Sequence, residues 1–271
     1  PQTTRNRIMG VRNLPSAQVV YVDTPGIHRG RSELNRYMVA QAFAAAAECD
    51  VVLFLVEAPR VSAARLASRP FEPGEGNRLI LDALAQLRCP RVLAINKVDL
   101  LSDKAALLPL IDHYRKLLSW DEIVPISATG GDGVEALERA VATRLPLGER
   151  LYPEDALTDM TERFLAAELV REQVFLLLRE ELPYSVAVTI ERYQERADKK
   201  DVVIEAELHV ERDSQKSIVL GEGGRMIKEI GTRARAEIAN LIGCPAHLKL
   251  FVKVDPDWTS RQGALARLGY R

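Results

Sequence analysis

The first half of the chain repeats one pattern, in which a short apolar run leads into a polar residue and then into a helical stretch. Four runs have this form: residues 19–22 before Asp23, 51–56 before Glu57, 92–95 before Asn96 and, more weakly, 123–126 before Ser127. This alternation predicts an α/β fold with a doubly wound, mostly parallel sheet. Because open α/β sheets bind ligands past the carboxyl ends of their strands, we expect these polar residues to form a binding site.

The second half has a different pattern, which predicts an α+β unit. Asp159 and Glu162 indicate the start of a helix that runs to Glu181, before Pro183. Strands are predicted at residues 184–192, 202–210, 217–220 and 247–254, and helices at 221–231 and 232–241. We therefore divide the chain into domains at 1–148 and 161–271, with a linker at 149–160, and interpret residues 60–77 as a loop or partly ordered insertion.

Composition limits the classes of protein that fit. A chain of 271 residues with 47% hydrophobic and 28% charged residues suits two globular domains. The net charge of −1 excludes a global basic field, so any binding of nucleic acid must come from a local patch. Cys49, Cys89 and Cys244 lack metal-ligand spacing and suit reduced core residues. Because no long apolar run or signal peptide is recognised, we expect a cytoplasmic protein.

The sequence Asn96-Lys97-Val98-Asp99 follows an apolar run and suits recognition of guanine. Guanine presents two adjacent donors, N1–H and N2–H, which one carboxylate can accept together, whereas adenine would leave that carboxylate unpaired. We therefore expect Asp99 to select the base, Asn96 to tie the base-binding loops together, and the stem of Lys97 to cover the base. The alternative is an exposed turn, which the preceding strand disfavours.

The sequence Ser127-Ala128-Thr129 ends the next apolar run. A short loop of small residues can present backbone N–H groups to the O6 atom of guanine. This sequence is unspecific alone, but it corroborates the base-reading motif when the two occur together.

The sequence Asp23-Thr24-Pro25-Gly26 suits the phosphate end of a nucleotide. An Asp at a strand end can hold Mg2+ through a water, and the N–H of Gly26 can approach a γ-phosphate without a Cβ clash. Upstream, the hydroxyl of Thr4 would ligate Mg2+ directly when GTP is bound. A plain Asx-Pro turn is the alternative.

A glycine turn, Gly221-Glu222-Gly223-Gly224, leads into a predicted helix and suits binding of an RNA backbone. Glycines let phosphates pack against the turn, the helix N-terminus favours anions, and a flanking apolar groove receives bases. Residues 212–235 also hold six basic residues against three acidic ones. We predict RNA contacts at the turn and at the residues that follow it: Arg225, Ile227 and Lys228. A glycine-rich helix cap is the alternative, which the surrounding strands and helices disfavour.

Taken in order, Thr4, the Asp23 motif, the Asn96 motif and Ser127-Ala128 resemble four of the five motifs of translation-factor-like GTPases, and the glycine turn resembles a type II KH domain. The combination resembles the Era family of bacterial ribosome-assembly GTPases. That resemblance implies a P-loop GTPase fold that uses GTP, GDP and Mg2+. It also implies a monomer that binds the 3′ end of 16S ribosomal RNA and the 30S ribosomal subunit, and that contacts the inner membrane peripherally.

Two features depart from the pattern of the family that the chain resembles. No Gly-Lys pair occurs in the chain, so no G-x-x-x-x-G-K-S/T loop is available to hold the phosphates. Because the chain begins at Pro1, where that loop would end, we expect an N-terminal truncation and poor GTP binding by this chain. The insertion at residues 60–77 is longer than expected. A third feature is shared with the family that the chain resembles: Ile27 stands where Ras-like GTPases carry a water-orienting Gln, and we identify no catalytic base.

Two functions stay open on the sequence. The first is a GTP-hydrolysing, RNA-binding assembly factor, and the second is an RNA-binding KH protein whose GTPase half is vestigial. A phosphate-loop sequence upstream would favour the first. A metabolic Rossmann enzyme is disfavoured, because no G-x-G-x-x-G sequence follows a predicted strand.

Overall fold

The structure is a computed structural model that describes residues 5–26, 32–59, 63–68, 72–101, 103–179 and 182–270. The strands are β1 (Ile8–Asn13), β2 (Gln18–Asp23), β3 (Val52–Glu57), β4 (Arg91–Asn96), β5 (Glu122–Pro125), β6 (Ala187–Arg196), β7 (Asp201–Val210) and β8 (Ala246–Val254). The helices are α1 (Glu33–Glu48), α2 (Ala63–Ser68), α3 (Glu75–Leu84), α4 (Leu107–Leu117), α5 (Val134–Ala142), α6 (Glu162–Leu177), α7 (Asp213–Leu220), α8 (Arg225–Ile242) and α9 (Gln262–Arg267). Within these ranges no helix combines the length and hydropathy needed to cross a bilayer.

The first half is built on a parallel sheet of β3, β4 and β5, with β4 in the centre. Residues 92–95 of β4 are completely buried, because α4 packs in the cluster on one face of the sheet and α5 in the cluster on the other. Burial on both faces explains why this strand is continuously apolar and does not alternate. The carboxyl end of β4 is Asn96, so the predicted base-reading motif lies at this edge of the sheet.

In the described part of the chain, β1 and β2 form a separate antiparallel hairpin. The run at residues 19–22 therefore pairs with the strand before it along the chain, which the sequence pattern did not reveal. The predicted linker lies along this hairpin. The Val11 N–H donates to the Leu157 carbonyl at 2.8 Å, and the Thr158 hydroxyl donates to the Met9 carbonyl at 2.6 Å.

The second half has a three-stranded sheet in the order β6-β7-β8, where β6 is antiparallel and β8 parallel to the central β7. Helices α6, α7 and α8 contribute to one buried apolar cluster with this sheet. The parallel pair β7 and β8 is joined through α7 and α8, and the glycine turn connects those two helices. This arrangement confirms the α+β organisation.

Three local predictions for the second half were wrong. Residues 217–220 end helix α7 and do not form a strand, because a short apolar run fits either element. Residues 225–242 form one helix, since Gly231, which suggested a break, lies inside α8 where an added Cβ would be 3.4 Å from the Leu250 side chain. Helix α6 begins after Thr161, whose hydroxyl accepts from the Phe164 N–H at 3.2 Å, and it ends at Leu177.

The predicted loop at residues 60–77 is also partly helical, because α2 and the start of α3 fall within it. Residues 60–62 and 69–71 lie outside the described part of the chain. Strand β1 and helix α9 were not predicted, since neither six-residue element carries a distinctive periodicity.

Candidate nucleotide site and nucleic-acid interface

Asn96 is the last residue of β4, and its side chain connects the two loops predicted to read guanine. Its Oδ1 atom accepts hydrogen bonds from the N–H groups of Lys97, at 2.7 Å, and Ala128, at 3.0 Å. The Val98 N–H donates to the Ile126 carbonyl at 3.2 Å, which adds a second bond between the loops. The parallel pairing of β4 with β5 brings these loops to the same edge of the sheet. The spacing of the two loops is therefore fixed by the protein itself.

Lys97 has a left-handed backbone, with φ 64° and ψ 33°. This conformation costs a residue with a Cβ about 1–2 kcal/mol, so the surrounding contacts must maintain it. One is the bond from the Lys97 N–H to Asn96, and another is an ion pair between Lys97 Nζ and the Glu57 carboxylate at the end of β3. The sequence pattern predicts Glu57 at a strand end but gives no sign of this ion pair.

Asp99 lies in a single 3-10 turn, Val98–Leu100, directly after the left-handed residue. Its side chain is exposed, and it makes no hydrogen bond or ion pair with the other residues that the structure describes. Both carboxylate oxygens can therefore accept hydrogen bonds from a ligand. This geometry suits the predicted acceptance of two adjacent donors from guanine.

The loop that follows β5 is folded back by its own hydrogen bonds. The buried Ser127 hydroxyl accepts from the Gly130 N–H at 3.2 Å, and the Ser127 N–H donates to the Asp132 carbonyl at 2.9 Å. At Gly133, φ is 75° and an added Cβ would lie 2.4 Å from the Pro125 carbonyl oxygen, so only glycine fits. Ala128 and Thr129 are exposed at the tip. The need for Gly133 was not recognised from the sequence, although a glycine just before a helix was a usable signal.

The phosphate-end residues are only partly described. Asp23 is the exposed last residue of β2, and Thr24, Pro25 and Gly26 continue from it without regular structure. The Asp23 carboxylate stands at a strand end, where a water-mediated Mg2+ contact is chemically reasonable. Thr4, the second predicted metal ligand, and Ile27 lie outside the described residues.

The glycine turn combines one crowded glycine with two open ones. An added Cβ at Gly221 would lie 2.7 Å from the Met226 Cβ atom, so this position shapes the turn. Gly223 and Gly224 have left-handed φ values of 59° and 78°, and an added Cβ at either would meet nothing within 4 Å. These two glycines therefore leave a bare backbone surface at which a phosphodiester chain can approach.

Helix α8 begins at Arg225, directly after the turn, and runs for 18 residues. Its first N–H groups and the positive end of its dipole point towards the turn, which favours an anion there. Ile227 is half-buried and Lys228 is exposed in the first turn of the helix, while Ile218 of α7 is exposed by 55%. The turn is therefore flanked by an exposed apolar side chain on the α7 side and by a half-buried apolar and an exposed basic side chain on the α8 side.

The charges near the turn are partly compensated. Arg225 pairs with Glu222, and Arg233 pairs with Glu229 at 2.7 Å. Lys228, by contrast, makes no ion pair with the other described residues. Because the two pairs are exposed, each contributes little to stability and can open when a phosphate competes for the arginine.

The two halves match two different family models. A model described as a 50S ribosome-binding GTPase matches residues 1–97, and a model described as a KH domain matches residues 181–259. The first range contains the Asp23 motif and Asn96, and the second contains the whole glycine turn and the helices on either side of it.

Curated relatives match over the whole chain. GTPase Era of Geobacter metallireducens is 48% identical over 270 residues, which cover 100% of this chain and 87% of the relative. GTPase Era of Lacticaseibacillus paracasei is 44% identical, over 99% of this chain and 85% of the relative.

Two solved structures share the fold. A crystal structure of Era in complex with MgGDPNP and nucleotides 1506–1542 of 16S ribosomal RNA has a TM-score of 0.90 and 38% identity, over 99% of this chain and 87% of that chain. Aquifex aeolicus Era Y63A bound to GDP and aluminium fluoride also has a TM-score of 0.90 and 38% identity, over 99% of this chain and 88% of that chain. The likeness extends over both halves together.

Proposed function

The chain belongs to the Era family of GTPases, and from that premise we propose that it couples GTP hydrolysis to binding of the 3′ end of 16S ribosomal RNA during assembly of the 30S subunit. This proposal rests on one observation: the chain contains two sites whose backbone and side chains are already arranged to bind a ligand. The guanine-reading loops are bridged by Asn96, and the glycine turn exposes bare backbone at Gly223 and Gly224. The alternative of a vestigial GTPase half is not favoured, because the family is one of GTPases.

In this proposal the base is read by residues from two loops. Asp99 accepts the N1–H and N2–H donors of guanine, and the Lys97 stem covers one face of the base. The N–H groups of Ser127 and Ala128 already donate to Asp132 and Asn96, so the N–H of Thr129, at the exposed tip of the same loop, is the one that faces O6. Asn96 contacts the protein and not the base, so its task is to hold these groups in register.

The phosphates and the metal would bind at the other end of the nucleotide site. Asp23 would hold Mg2+ through a water, Thr4 would ligate it when GTP is present, and the sequence Thr24-Pro25-Gly26 would bring a backbone N–H to the γ-phosphate. Mg2+ would supply charge neutralisation for the transferred phosphoryl group.

On the RNA side, we propose that the sequence from Gly221 to Gly224 contacts the sugar-phosphate backbone. Arg225 and Lys228 neutralise phosphates, and Ile227 contributes to the groove that receives bases. The exposed side chain of Ile218 supports an apolar wall on the α7 side.

We also propose the wider setting of the protein. Residues 1–148 form the GTPase domain, 149–160 the linker and 161–271 the KH domain, and the protein acts as a cytoplasmic monomer on the 30S subunit. Peripheral contact with the inner membrane remains a prediction from the family resemblance.

The RNA-binding part is tested with two substitutions at Gly223. Asp and Asn both tolerate the left-handed backbone better than most residues, and neither side chain would meet a Cβ clash there. Gly223→Asp adds a negative charge where a phosphate would lie, and Gly223→Asn adds nearly the same shape without charge. Affinity for an RNA of nucleotides 1506–1542 is measured by fluorescence anisotropy in both variants of the full-length protein.

We expect Gly223→Asp to weaken RNA binding by about tenfold or more relative to Gly223→Asn, because like charges held together at an interface cost more than 1.4 kcal/mol. Unfolding temperatures of the two variants should agree. Equal RNA affinities for the two variants would show that the turn does not contact the RNA backbone.

A further inference from the structure

Cys49 and Cys89 lie beside each other where the chain enters the parallel sheet of the first half. Strand β3 pairs with β4 in a register that sets Val52 opposite Arg91, and the Val52 N–H donates to the Pro90 carbonyl at 2.9 Å. Cys49 is three residues before Val52, and Cys89 is two residues before Arg91. The two cysteines therefore precede neighbouring strands, at the edge of the sheet opposite the guanine-reading loops.

The register of the two strands gives the separation of the cysteines. Neighbouring strands are about 4.8 Å apart, and Cys49 and Cys89 differ by one residue in register, which is a rise of about 3.3 Å. Together these displacements place the two Cα atoms about 6 Å apart, within the range of roughly 4.4–6.8 Å that a disulfide spans. The pair is therefore within reach of a disulfide.

The side chains of the two cysteines are released from strand alternation, because the ladder ends before it reaches them. Pro90 has no N–H to donate, and the chain bends at Cys89. Cys49 caps the C-terminus of α1, with φ −81° and ψ 146°. Burial raises the pKa of the Cys49 thiol, and the Cys89 thiol raises that pKa further. The two thiols therefore lie close enough to interact electrostatically.

Neither of these cysteines fills the apolar core. Both are half-buried, and among the described residues neither packs in a buried apolar cluster, although their neighbours Val52 and Leu87 do. Cys244 differs, because it packs against the apolar cluster of the second half. The prediction of a core residue therefore suits Cys244, whereas the thiols of Cys49 and Cys89 lie at the rim of the sheet.

A positive charge beside Cys49 affects how readily its thiol ionises. Nη1 of Arg7 pairs at 2.6 Å with the carboxylate of Glu48, the residue before Cys49. Burial is the larger effect and raises the pKa of the Cys49 thiol, while the Arg7 guanidinium opposes that rise. Because the thiolate is the form that reacts, oxidation at Cys49 should become faster as the pH rises.

We propose that Cys49 and Cys89 are a redox-sensitive pair that forms a reversible disulfide between the C-terminus of α1 and the start of β4 in the presence of a peroxide. One thiolate attacks an oxygen of hydrogen peroxide and becomes a sulfenic acid, and the other peroxide oxygen leaves as water. The second thiolate then attacks the sulfenic sulfur, forms the S–S bond and displaces the sulfenic oxygen as water. Two thiols lose two electrons and two protons in total, and one hydrogen peroxide becomes two waters. An excess of a small thiol reverses the reaction by thiol–disulfide exchange.

The disulfide would join two parts of the guanine-nucleotide half. Helix α1 follows the Asp23 motif along the chain, and β4 ends at Asn96. The closed loop would contain about 40 residues, among them β3, α2 and α3, and closing a loop of that length lowers the entropy of the unfolded chain. Oxidation would therefore stabilise this half and restrict movement of the C-terminal end of α1.

The test oxidises full-length protein with hydrogen peroxide. Wild type, Cys49→Ser, Cys89→Ser and the matched control Cys244→Ser are treated alike, and the remaining thiols are blocked with N-ethylmaleimide. The samples are digested without reductant, and linked peptides are identified by mass spectrometry. Serine is close to cysteine in size but forms no S–S bond, and the control removes the cysteine of the second half.

In the wild type and the Cys244→Ser control, we expect a peptide that contains Cys49 linked to one that contains Cys89, and we expect the link to disappear on reduction. The unfolding temperature of these two oxidised proteins should rise by about 5 °C or more, because of loop closure. Neither Cys49→Ser nor Cys89→Ser should show this rise. Linking should be faster at mildly alkaline than at neutral pH, because burial raises the pKa of the Cys49 thiol.

Three outcomes would overturn this inference. One is oxidation that ends as separate sulfinic acids at Cys49 and Cys89, and a second is a link from either of them to Cys244. The third is a wild-type protein whose Cys49 and Cys89 both stay reduced at peroxide concentrations that oxidise free glutathione. The proposed functions in GTP hydrolysis and RNA binding do not depend on the result, because the test measures neither activity.

Discussion

The guanine-reading loops and the glycine turn are prepared for their ligands in opposite ways. The guanine-reading loops are fixed by a side chain, since Asn96 accepts hydrogen bonds from both loops, and they hold Lys97 in a conformation that normally favours glycine. The glycine turn is fixed by the absence of side chains, and only Gly221 is crowded. The guanine-reading loops select their ligand through atoms at defined positions. The glycine turn lets its ligand approach because no side chain covers the backbone.

This difference follows from the ligands. A base offers donors and acceptors in one plane, so discrimination requires a carboxylate such as Asp99 at a defined position. An RNA backbone offers the same phosphate at each nucleotide, so the protein gains more from close approach than from a single selective group. Substitution of the base-selecting carboxylate should therefore change specificity in the first site, whereas substitution in the glycine turn should change affinity without changing specificity.

The largest effect is expected at the base-selecting carboxylate. Asp99→Asn replaces one of two acceptors by a donor that faces the guanine amino group, so GTP affinity should fall by roughly a thousandfold or more. Xanthine carries a carbonyl where guanine has that amino group, so xanthosine triphosphate should bind the variant better than GTP. Competition between the two nucleotides for full-length protein measures this reversal of nucleotide preference.

Asp103→Asn is the matched control for this experiment. Asp103 is exposed four residues further on, and its Oδ1 accepts from the Ala105 N–H at 2.9 Å, a role that Asn also performs. Selectivity should stay at the wild-type value in this control. If the Asp99→Asn protein still prefers GTP over xanthosine triphosphate, Asp99 does not select the base.

A smaller effect is expected at the left-handed residue. Lys97→Gly relieves a backbone strain of about 1–2 kcal/mol but adds freedom to the unfolded chain, so the free energy of unfolding should change by less than about 1 kcal/mol. GTP affinity should nevertheless fall by about tenfold. The apolar surface that the Lys97 stem and the base bury between them contributes roughly 1.4 kcal/mol to the free energy of binding.

Thermal unfolding and nucleotide titration of the same Lys97→Gly sample separate these two quantities. Unchanged affinity for GTP would mean that the Lys97 side chain does not contact the base. The two sites would then be more alike than the structure suggests, because both would depend on backbone shape alone.

The elements that are best predicted from the sequence are those whose signals lie within a few consecutive residues. The apolar run at residues 92–95 and the polar residues after it identify a buried strand and its ligand edge, because both signals occur within a few positions. The glycine turn was also located correctly between two helices, although the first of them was taken for a strand. Short apolar runs carry no periodicity that separates helix from strand.

The parts that sequence did not reveal depend on contacts between distant segments. The buried side chain of Arg5 donates hydrogen bonds to acceptors up to 265 residues away, and no spacing rule connects Arg5 with Tyr270. The pairing of Lys97 with Glu57 likewise depends on the parallel alignment of β3 and β4. Every residue type carries a backbone carbonyl, so the sequence gives no signal that the carbonyl of Val186 accepts a hydrogen bond from Arg5.

Communication between the nucleotide site and the RNA-binding turn is the central prediction for this protein, and one measurement tests it directly. The affinity of full-length protein for GDPNP, a non-hydrolysable GTP analogue, is measured with and without a saturating amount of the 1506–1542 RNA, and the affinity for GDP is measured in the same way. We predict that the RNA tightens GDPNP binding by about fivefold or more, the range typical of allosteric coupling, and leaves GDP binding nearly unchanged. The same affinity for GDPNP with and without the RNA would contradict the claim that this chain joins a nucleotide switch to an RNA-binding module.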